Sequence, residues 1–220
     1  MLQEDVSERV FASAHSIDIS QLGADWHFFN LAKRVFDIVL SLLLLPLVAF
    51  FALALLCINP FQNPGRLIFV QPRMGRHCKS FPAFKFRSMR AANEITRTAA
   101  DPLEVDRITP LGGFMRKTRI DELPQIINVL RGEMSLIGPR PDYFNHAVEY
   151  LNEIPGYRER HIVRPGISGL AQTEVGYAEG IAATRNKVNA DLYYILNCGF
   201  RLELWIIWRT FAVILGRAGA

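Results

Sequence analysis

Cysteine is scarce in this 220-residue chain: Cys57, Cys78 and Cys198 are widely separated, and no C-x-x-C spacing occurs. That excludes a disulfide framework and a cysteine zinc site, and it fits a reducing, cytosol-facing location. The five histidines form no H-x-x-x-H pair, so metal ligation through imidazole is not expected. There is no Walker loop, no G-x-G-x-x-G and no G-x-S-x-G. Internal repeats and low-complexity tracts are also missing. The net charge is a modest +4 and no basic helix is interleaved with aromatics, which argues against nucleic acid as a partner. Residues 1–30 lack an apolar core and a small-residue cleavage site, so they are not expected to be a signal peptide.

What is present is unevenly distributed. The length suits one domain or slightly more. Half of the residues are hydrophobic, and they concentrate in Ile38 to Ile58, 21 residues without a charge. That run is long enough to enter a bilayer. Pro46 near its middle removes a backbone hydrogen bond, which allows two readings: a kinked spanning helix, or a helix-break-helix that enters and leaves on one face. Lys33 and Arg34 precede the run, and Arg66, Arg73, Arg76, Lys79, Lys85, Arg87 and Arg90 follow it. The positive-inside tendency would place both flanks in the cytosol, which a single span cannot satisfy. The resulting division is a poorly defined segment over 1–30, a membrane helix over 31–59 and a cytosolic or interfacial domain over 60–220.

The stretch Phe114 to Asp142 carries the densest chemistry. Asp121 and Glu122 follow Arg116, Lys117 and Arg119, and the stretch closes on Gly138-Pro139-Arg140-Pro141. The pattern predicts a helix starting at Asp121 as N-cap, with Pro124 in its first turn and Gly132 as its stop. Leu123, Ile126, Ile127 and Leu130 would form its apolar face. Asp-Glu at a helix start is commonly only a cap. With cations just upstream, the alternative is a site for phosphate and its divalent metal, and an oxygen pair without His or Cys suits Mg²⁺ better than zinc.

Elsewhere, Arg66 to Gln71 and Phe81 to Met89 read as strands around a turn at Gly75, with Lys85 and Arg87 on one face. Residues 91–100 are small and polar. Phe144 to Leu151 and Ala182 to Leu196 read as helices. Arg158, Arg160, His161 and Arg164 form a basic cluster, which is either a solvated loop or a phosphate holder. Phe200 to Leu215 carries Trp205, Trp208 and Phe211 among aliphatics, which suits a membrane interface or a packed final helix.

Taken together these motifs resemble the bacterial sugar transferase family, the monotopic phosphoglycosyl transferases. The resemblance runs from about Lys33 to the C-terminus. It rests on K-R-x-F-D at Lys33, F-x-Q-x-R-x-G at Phe69, KFRSM at Lys85 and D-R-I-T-P-L-G at Asp106. It continues through R-K-T-x-x-D-E-L-P-Q at Arg116, N-V-L-R-G-E-M-S-L-I-G-P-R-P at Asn128, R-P-G-I-S-G-L-A-Q at Arg164 and D-L-Y-Y-I at Asp191. The resemblance implies transfer of sugar 1-phosphate from a UDP-sugar to a polyprenyl phosphate, with UMP released through a covalent phosphosugar on Asp121. It makes Glu122 and Asp121 the Mg²⁺ carboxylates, Arg116 an organiser of the phosphate or metal site, and Lys85 an active-site cation. Arg140 would contact the nucleotide, and Arg164 would shape the same pocket.

The implied architecture is a small, mostly helical α/β domain with a small sheet, fused to one re-entrant helix on the inner leaflet of the bacterial membrane and facing the cytoplasm. A homodimer is left open. A glycosyltransferase that releases UDP and a non-catalytic scaffold for glycan assembly are the rival functions. Three positions depart from the family pattern. Leu45 replaces the usual Ser before Pro46, His77-Cys78-Lys79 replaces a Gly-containing turn, and Thr173 to Tyr177 replace a Gly-Arg.

Overall fold

A computed structural model describes residues 24–90, 104–175 and 181–215. Residues 91–100 and the Gly176-Tyr177 part of the third departure lie outside them, as does most of the segment read over 1–30. The long apolar run lies within helix α1, Ala24–Gln62, which is helical through both Pro46 and Pro60. The chain therefore enters the helix earlier than position 31 and shows no interruption at Pro46. Among the described residues α1 is the one helix long and apolar enough to cross a membrane.

Its two sides differ. Phe29, Asp37, Ser41, Val48, Leu55 and Asn59 are buried, and their spacing marks one helical stripe. Leu42, Leu43, Phe50 and Leu53 lie exposed on the other side. The polar members of the stripe are what tie α1 to the domain. Asp37 accepts from Ser135 Oγ at 2.7 Å and from Leu136 N at 3.1 Å. Lys33 meets Glu203 at 2.6 Å. Just past the helix, Asn63 Nδ2 donates to Arg87 O at 2.7 Å.

Strands β1 (Ile68–Met74) and β2 (Ser80–Phe86) form an antiparallel hairpin in which Phe69 faces Lys85. At the turn, His77 and Cys78 hold φ of 57° and 58°, left-handed values that glycine adopts without strain. Helix α2 (Pro110–Lys117) is capped by Thr109, whose hydroxyl accepts from Gly112 N at 3.0 Å. A side chain at Gly112 would lie 1.8 Å from Ser88 O, so only glycine lets α2 rest against the segment that follows β2.

Helix α3 (Gln125–Arg131) follows, ending at Gly132 with φ 83°. Then come β3 (Ser135–Ile137), α4 (Phe144–Glu153), β4 (Gly166–Ser168) and α5 (Leu170–Glu174). Helices α6 (Ile181–Leu196) and α7 (Phe200–Leu215) close the chain. Strands β3 and β4 pair in parallel, so the architecture is mostly helical with two small two-stranded sheets.

Among the described residues three apolar clusters organise these parts, the smallest being Phe81, Ala83, Val129 and Met134 between β2 and α3. Met74, Ile137, Tyr157, Val188, Leu192 and Ile206 form one beneath α6 and α7. Val48 and Leu55 of α1 join Phe86, Met115 and Ile126 in another. Helix α7 is two-sided: Ile206 is fully buried, as a packed final helix requires, while Trp208 and Phe211 are exposed.

Candidate active site

The expected helix start at Asp121 is replaced by a tighter turn. Residues Ile120–Glu122 form a single 3-10 turn, and α3 begins only at Gln125, after Pro124. The cause is Arg119, which sits at φ 59° and reverses the chain between α2 and the acidic pair. Asp121 therefore caps nothing; it and Glu122 are turned inward and buried. Strain of this kind at a non-glycine residue, costing about 1–3 kcal/mol, concentrates at functional sites. The apolar face of α3 is shifted accordingly. Ile126 and Val129 are buried, whereas Ile127 is exposed.

Glu122 is clamped. Lys85 Nζ lies 2.8 Å from its Oε1. Arg140 forks onto the same carboxylate, Nη1 reaching Oε2 at 3.0 Å and Nη2 contacting Oε1. Arg119 Nη1 stands 3.9 Å from Oε2. Burial alone would raise the pKa of Glu122, but Arg140 and Lys85 hold it well below the usual carboxylate range. Burial lowers that of Lys85, with Glu122 opposing and Arg140 and Arg73 adding to the fall.

Asp121 differs. Among the described residues no side chain hydrogen-bonds or ion-pairs with it. Burial raises its pKa first and the charge of Glu122 raises it further, while Lys85, Arg116 and Arg140 pull it down. The adjacent carboxylates are thus unequal: one is locked as an anion, the other has no side-chain partner among the described residues.

Four of the expected residues, Lys85, Asp121, Glu122 and Arg140, gather at one place. Arg116 acts on Asp121 electrostatically from α2 and rests its Nη1 against Met89 Sδ at 3.3 Å. Arg164 does not join them. Its Nε donates to Gly132 O at 2.9 Å, and it lines a separate cleft beside Arg34 and Arg76. The basic cluster also divides. Arg160 is buried between Asp142, at 2.5 Å, and Asp191, at 2.7 Å. Buried His161 is pushed down to about 3 by burial and by Arg160. Both belong to the interior and hold no phosphate.

Two supporting residues appear in the sequence only as a flanking cation or a motif member, with no role assigned. Arg73 Nη1 donates to Pro141 O at 2.9 Å, fixing the Pro-Arg-Pro turn from β1. Asn128, fully buried, donates to Pro82 O at 2.7 Å and accepts from Phe84 N at 3.0 Å, so α3 and β2 move as one piece. A polar side chain inside the otherwise apolar run Ile126 to Leu130 was the available signal.

The model of the family described as bacterial sugar transferase matches residues 28–217. The chain is 43% identical over 189 residues to a UDP-N-acetylgalactosamine-undecaprenyl-phosphate N-acetylgalactosaminephosphotransferase of Aeromonas hydrophila, covering 86% of this chain and 44% of that protein. It is 38% identical over 188 residues to the exopolysaccharide production protein PSS of Rhizobium leguminosarum bv. phaseoli, covering 81% and 92% respectively. A UDP-glucose:undecaprenyl-phosphate glucose-1-phosphate transferase of Escherichia coli K12 is 38% identical over 187 residues, with 82% and 39% covered. The chain thus spans less than half of the Aeromonas and Escherichia relatives and nearly all of the Rhizobium one. The match extends from the start of α1 through α7 and includes every motif around Asp121, and the chain belongs to the bacterial sugar transferase family.

Proposed function

We propose that this chain transfers sugar 1-phosphate from a UDP-sugar to undecaprenyl phosphate and releases UMP, the first membrane step of an exopolysaccharide or O-antigen type glycan. The observation that carries this reading is the inequality of the two carboxylates. Glu122 is fixed by Lys85 and Arg140, while Asp121 has no side-chain partner among the described residues and is surrounded by cations that can also hold a diphosphate. An oxygen of Asp121 attacks the sugar-bearing phosphorus, the bond to UMP breaks, and UMP leaves with the electron pair. A phosphate oxygen of the polyprenyl acceptor then attacks the same phosphorus, forming the diphosphate-linked sugar and restoring Asp121.

The donor set fits Mg²⁺, with Asp121 and Glu122 as the oxygen residues that would hold it. Asp121 is a buried carboxylate that its neighbours neutralise only in part. No trio of metal-ligating side chains converges among the described residues, which suits a cation held largely by substrate phosphates. Its chemistry would be to neutralise the donor's diphosphate as the phosphorus is attacked.

For the membrane, we propose re-entry on the cytoplasmic face of the inner membrane. Lys33, Arg34 and Asp37 at one end of α1 and Asn63 beyond the other contact the same domain. Val48 and Leu55, between them, pack on Phe86 and Met115. A straight helix would hold Arg34 and Asn63 about 43 Å apart. Pro46, near the middle, removes one backbone hydrogen bond, which permits the bend that re-entry requires. With native cysteines replaced by serine, Leu31→Cys and Gln62→Cys should both react with an impermeant maleimide from the cytoplasmic side. Reaction of either from the opposite side would mean a span.

Nucleotide release tests the reaction. Membranes holding the protein, Mg²⁺ and undecaprenyl phosphate are given UDP-N-acetylgalactosamine, UDP-glucose or UDP-galactose. UMP from one donor, reduced by on the order of a thousandfold in Asp121→Asn, is the expected result. UDP in place of UMP, or undiminished release by the variant, would remove Asp121 as nucleophile.

A further inference from the structure

Two adjoining clefts flank the beginning of α1, and neither contains Asp121, Glu122, Lys85, Arg116 or Arg140. The first, about 320 Å³, is lined by Lys33, Arg34, Asp37, Arg76 and Arg164. The second, about 350 Å³, is apolar and lies between Phe28 of α1 and Ile195, Leu196 and Phe200 at the α6–α7 junction. Trp26, Phe29 and Cys198 line both, so the clefts share a wall.

The charges in the first cleft do not balance. Lys33 is paired with Glu203. Asp37 commits its two oxygens to Ser135 and Leu136. Arg34 directs both Nη groups to carbonyls at the end of α3, Val129 O at 2.8 Å and Leu130 O at 3.2 Å. Arg76 and Arg164 each donate through Nε, to Ile162 O and Gly132 O, both at 2.9 Å. Among the described residues no carboxylate forms an ion pair with any of these three arginines. Burial, then Arg34 and Arg76, lower the pKa of Arg164, so the like charges are close enough to repel.

Half-buried guanidinium groups in excess of the one acid beside them, Asp37, are stabilised by a bound anion, and phosphate fits their forked donors. The neighbouring apolar cleft extends the ligand. A free phosphate would leave that cleft unused, whereas an amphiphile would fill both. The beginning of α1 also exposes Phe28 and Leu31 beside the clefts, at 68% and 67%, the exposure expected of a surface turned toward lipid.

We infer that the paired clefts bind one phosphate-headed lipid, its head on Arg76 and Arg164 and the start of its chain against Leu196 and Phe200. This site stands apart from Asp121 and does not depend on the reaction assigned there. Two lipids share the chemistry: a phospholipid of the bilayer and a polyprenyl phosphate.

Native mass spectrometry of the full chain tests this, using nanodiscs of phosphatidylethanolamine and phosphatidylglycerol with or without undecaprenyl phosphate. The wild type should retain one phosphate-headed lipid. Its occupancy should fall about tenfold in the double variant Arg76→Gln/Arg164→Gln and be kept in Arg76→Lys/Arg164→Lys. Leu196→Glu, which leaves the arginines intact, should also release the lipid. The retained mass identifies the source, undecaprenyl phosphate if it displaces the phospholipid and phospholipid if it does not. Undiminished lipid on the double glutamine variant would overturn the site. Failure to retain lipid, with inorganic phosphate binding equally to wild type and Leu196→Glu, would make it a soluble-anion site and defeat the lipid assignment.

Discussion

Two ion clusters stand on either side of the Pro139-Arg140-Pro141 turn, and they differ in whether every acid has a side-chain partner. Around Arg160 the set is closed. Asp142 and Asp191 hold the guanidinium, Tyr157 donates to Asp142 at 2.7 Å, and Arg160 Nη2 also donates to Arg140 O at 2.8 Å. Around Glu122 the set is open, with Lys85 and Arg140 on one carboxylate and Asp121 beside it without a side-chain partner among the described residues. A fully partnered set fixes geometry, whereas one with an unpartnered acid has capacity left for a substrate. The closed cluster positions the backbone of Arg140 so that its side chain can serve the open one.

Breaking the closed cluster should have the largest effect on folding. Arg160→Ala leaves buried Asp191 and half-buried Asp142 without their cation, and a loss of about 3–5 kcal/mol is expected, read as a fall in urea midpoint. Activity should fall with it as Arg140 loses its anchor. If stability is kept while activity is lost, Arg160 belongs to the chemistry and the contrast fails.

A smaller effect sharpens the open cluster. Glu122→Gln removes the neighbouring charge that, after burial, raises the pKa of Asp121. Turnover should fall by about 10–100-fold through the lost clamp. The acid limb of kcat/KM should move to lower pH, because Asp121 then ionises more readily. An acid limb displaced upward would contradict the coupling.

The smallest effect concerns acid stability. Arg160, with Tyr157, holds Asp142 down to about 2, below its ordinary 3.8. Its stabilising contribution is therefore complete above pH 3.8 and lost as the pH falls toward 2. Burial pushes Asp191 up to about 6, so its contribution has the opposite sign and declines as pH rises from 3.8 to 6. Asp142→Asn should flatten the acid side of a plot of Tm against pH and, by removing a charge that helps to raise Asp191, also narrow the Asp191 side. An unchanged acid side would mean that Asp142 is not held by Arg160 in solution.

Much of this arrangement was legible in the residues. The apolar run, the hairpin around Gly75, both final helices and the gathering of Lys85, Asp121, Glu122 and Arg140 follow from periodicity, turn residues and motif order. Local torsions and long-range partners were not legible. Nothing in Arg119 announces a left-handed backbone, so the acidic pair read as a helix start rather than a 3-10 turn. Arg160 and Arg164 are four residues apart in one basic run, yet one is buried between two aspartates and the other lines a distant cleft. That division depends on Asp142 and Asp191, which no local pattern connects to them. The stripe of Asp37, Ser41 and Asn59 was visible only as interruptions at the edges of an apolar run until the domain supplied its other half.

That stripe has a consequence for the order in which the protein is made. Asp37 finds Ser135 and Leu136 only 98 and 99 residues later, and Lys33 finds Glu203 after 170. At ribosomal speeds of about 5–20 residues per second, the carboxylate waits roughly 5–20 s for its partners. An unpaired charge is costly in hydrocarbon. Under the proposed re-entry, the nascent helix would rest at the lipid–water boundary during that interval and reach its final depth only as the later half of the chain arrives to pair Asp37 and Lys33.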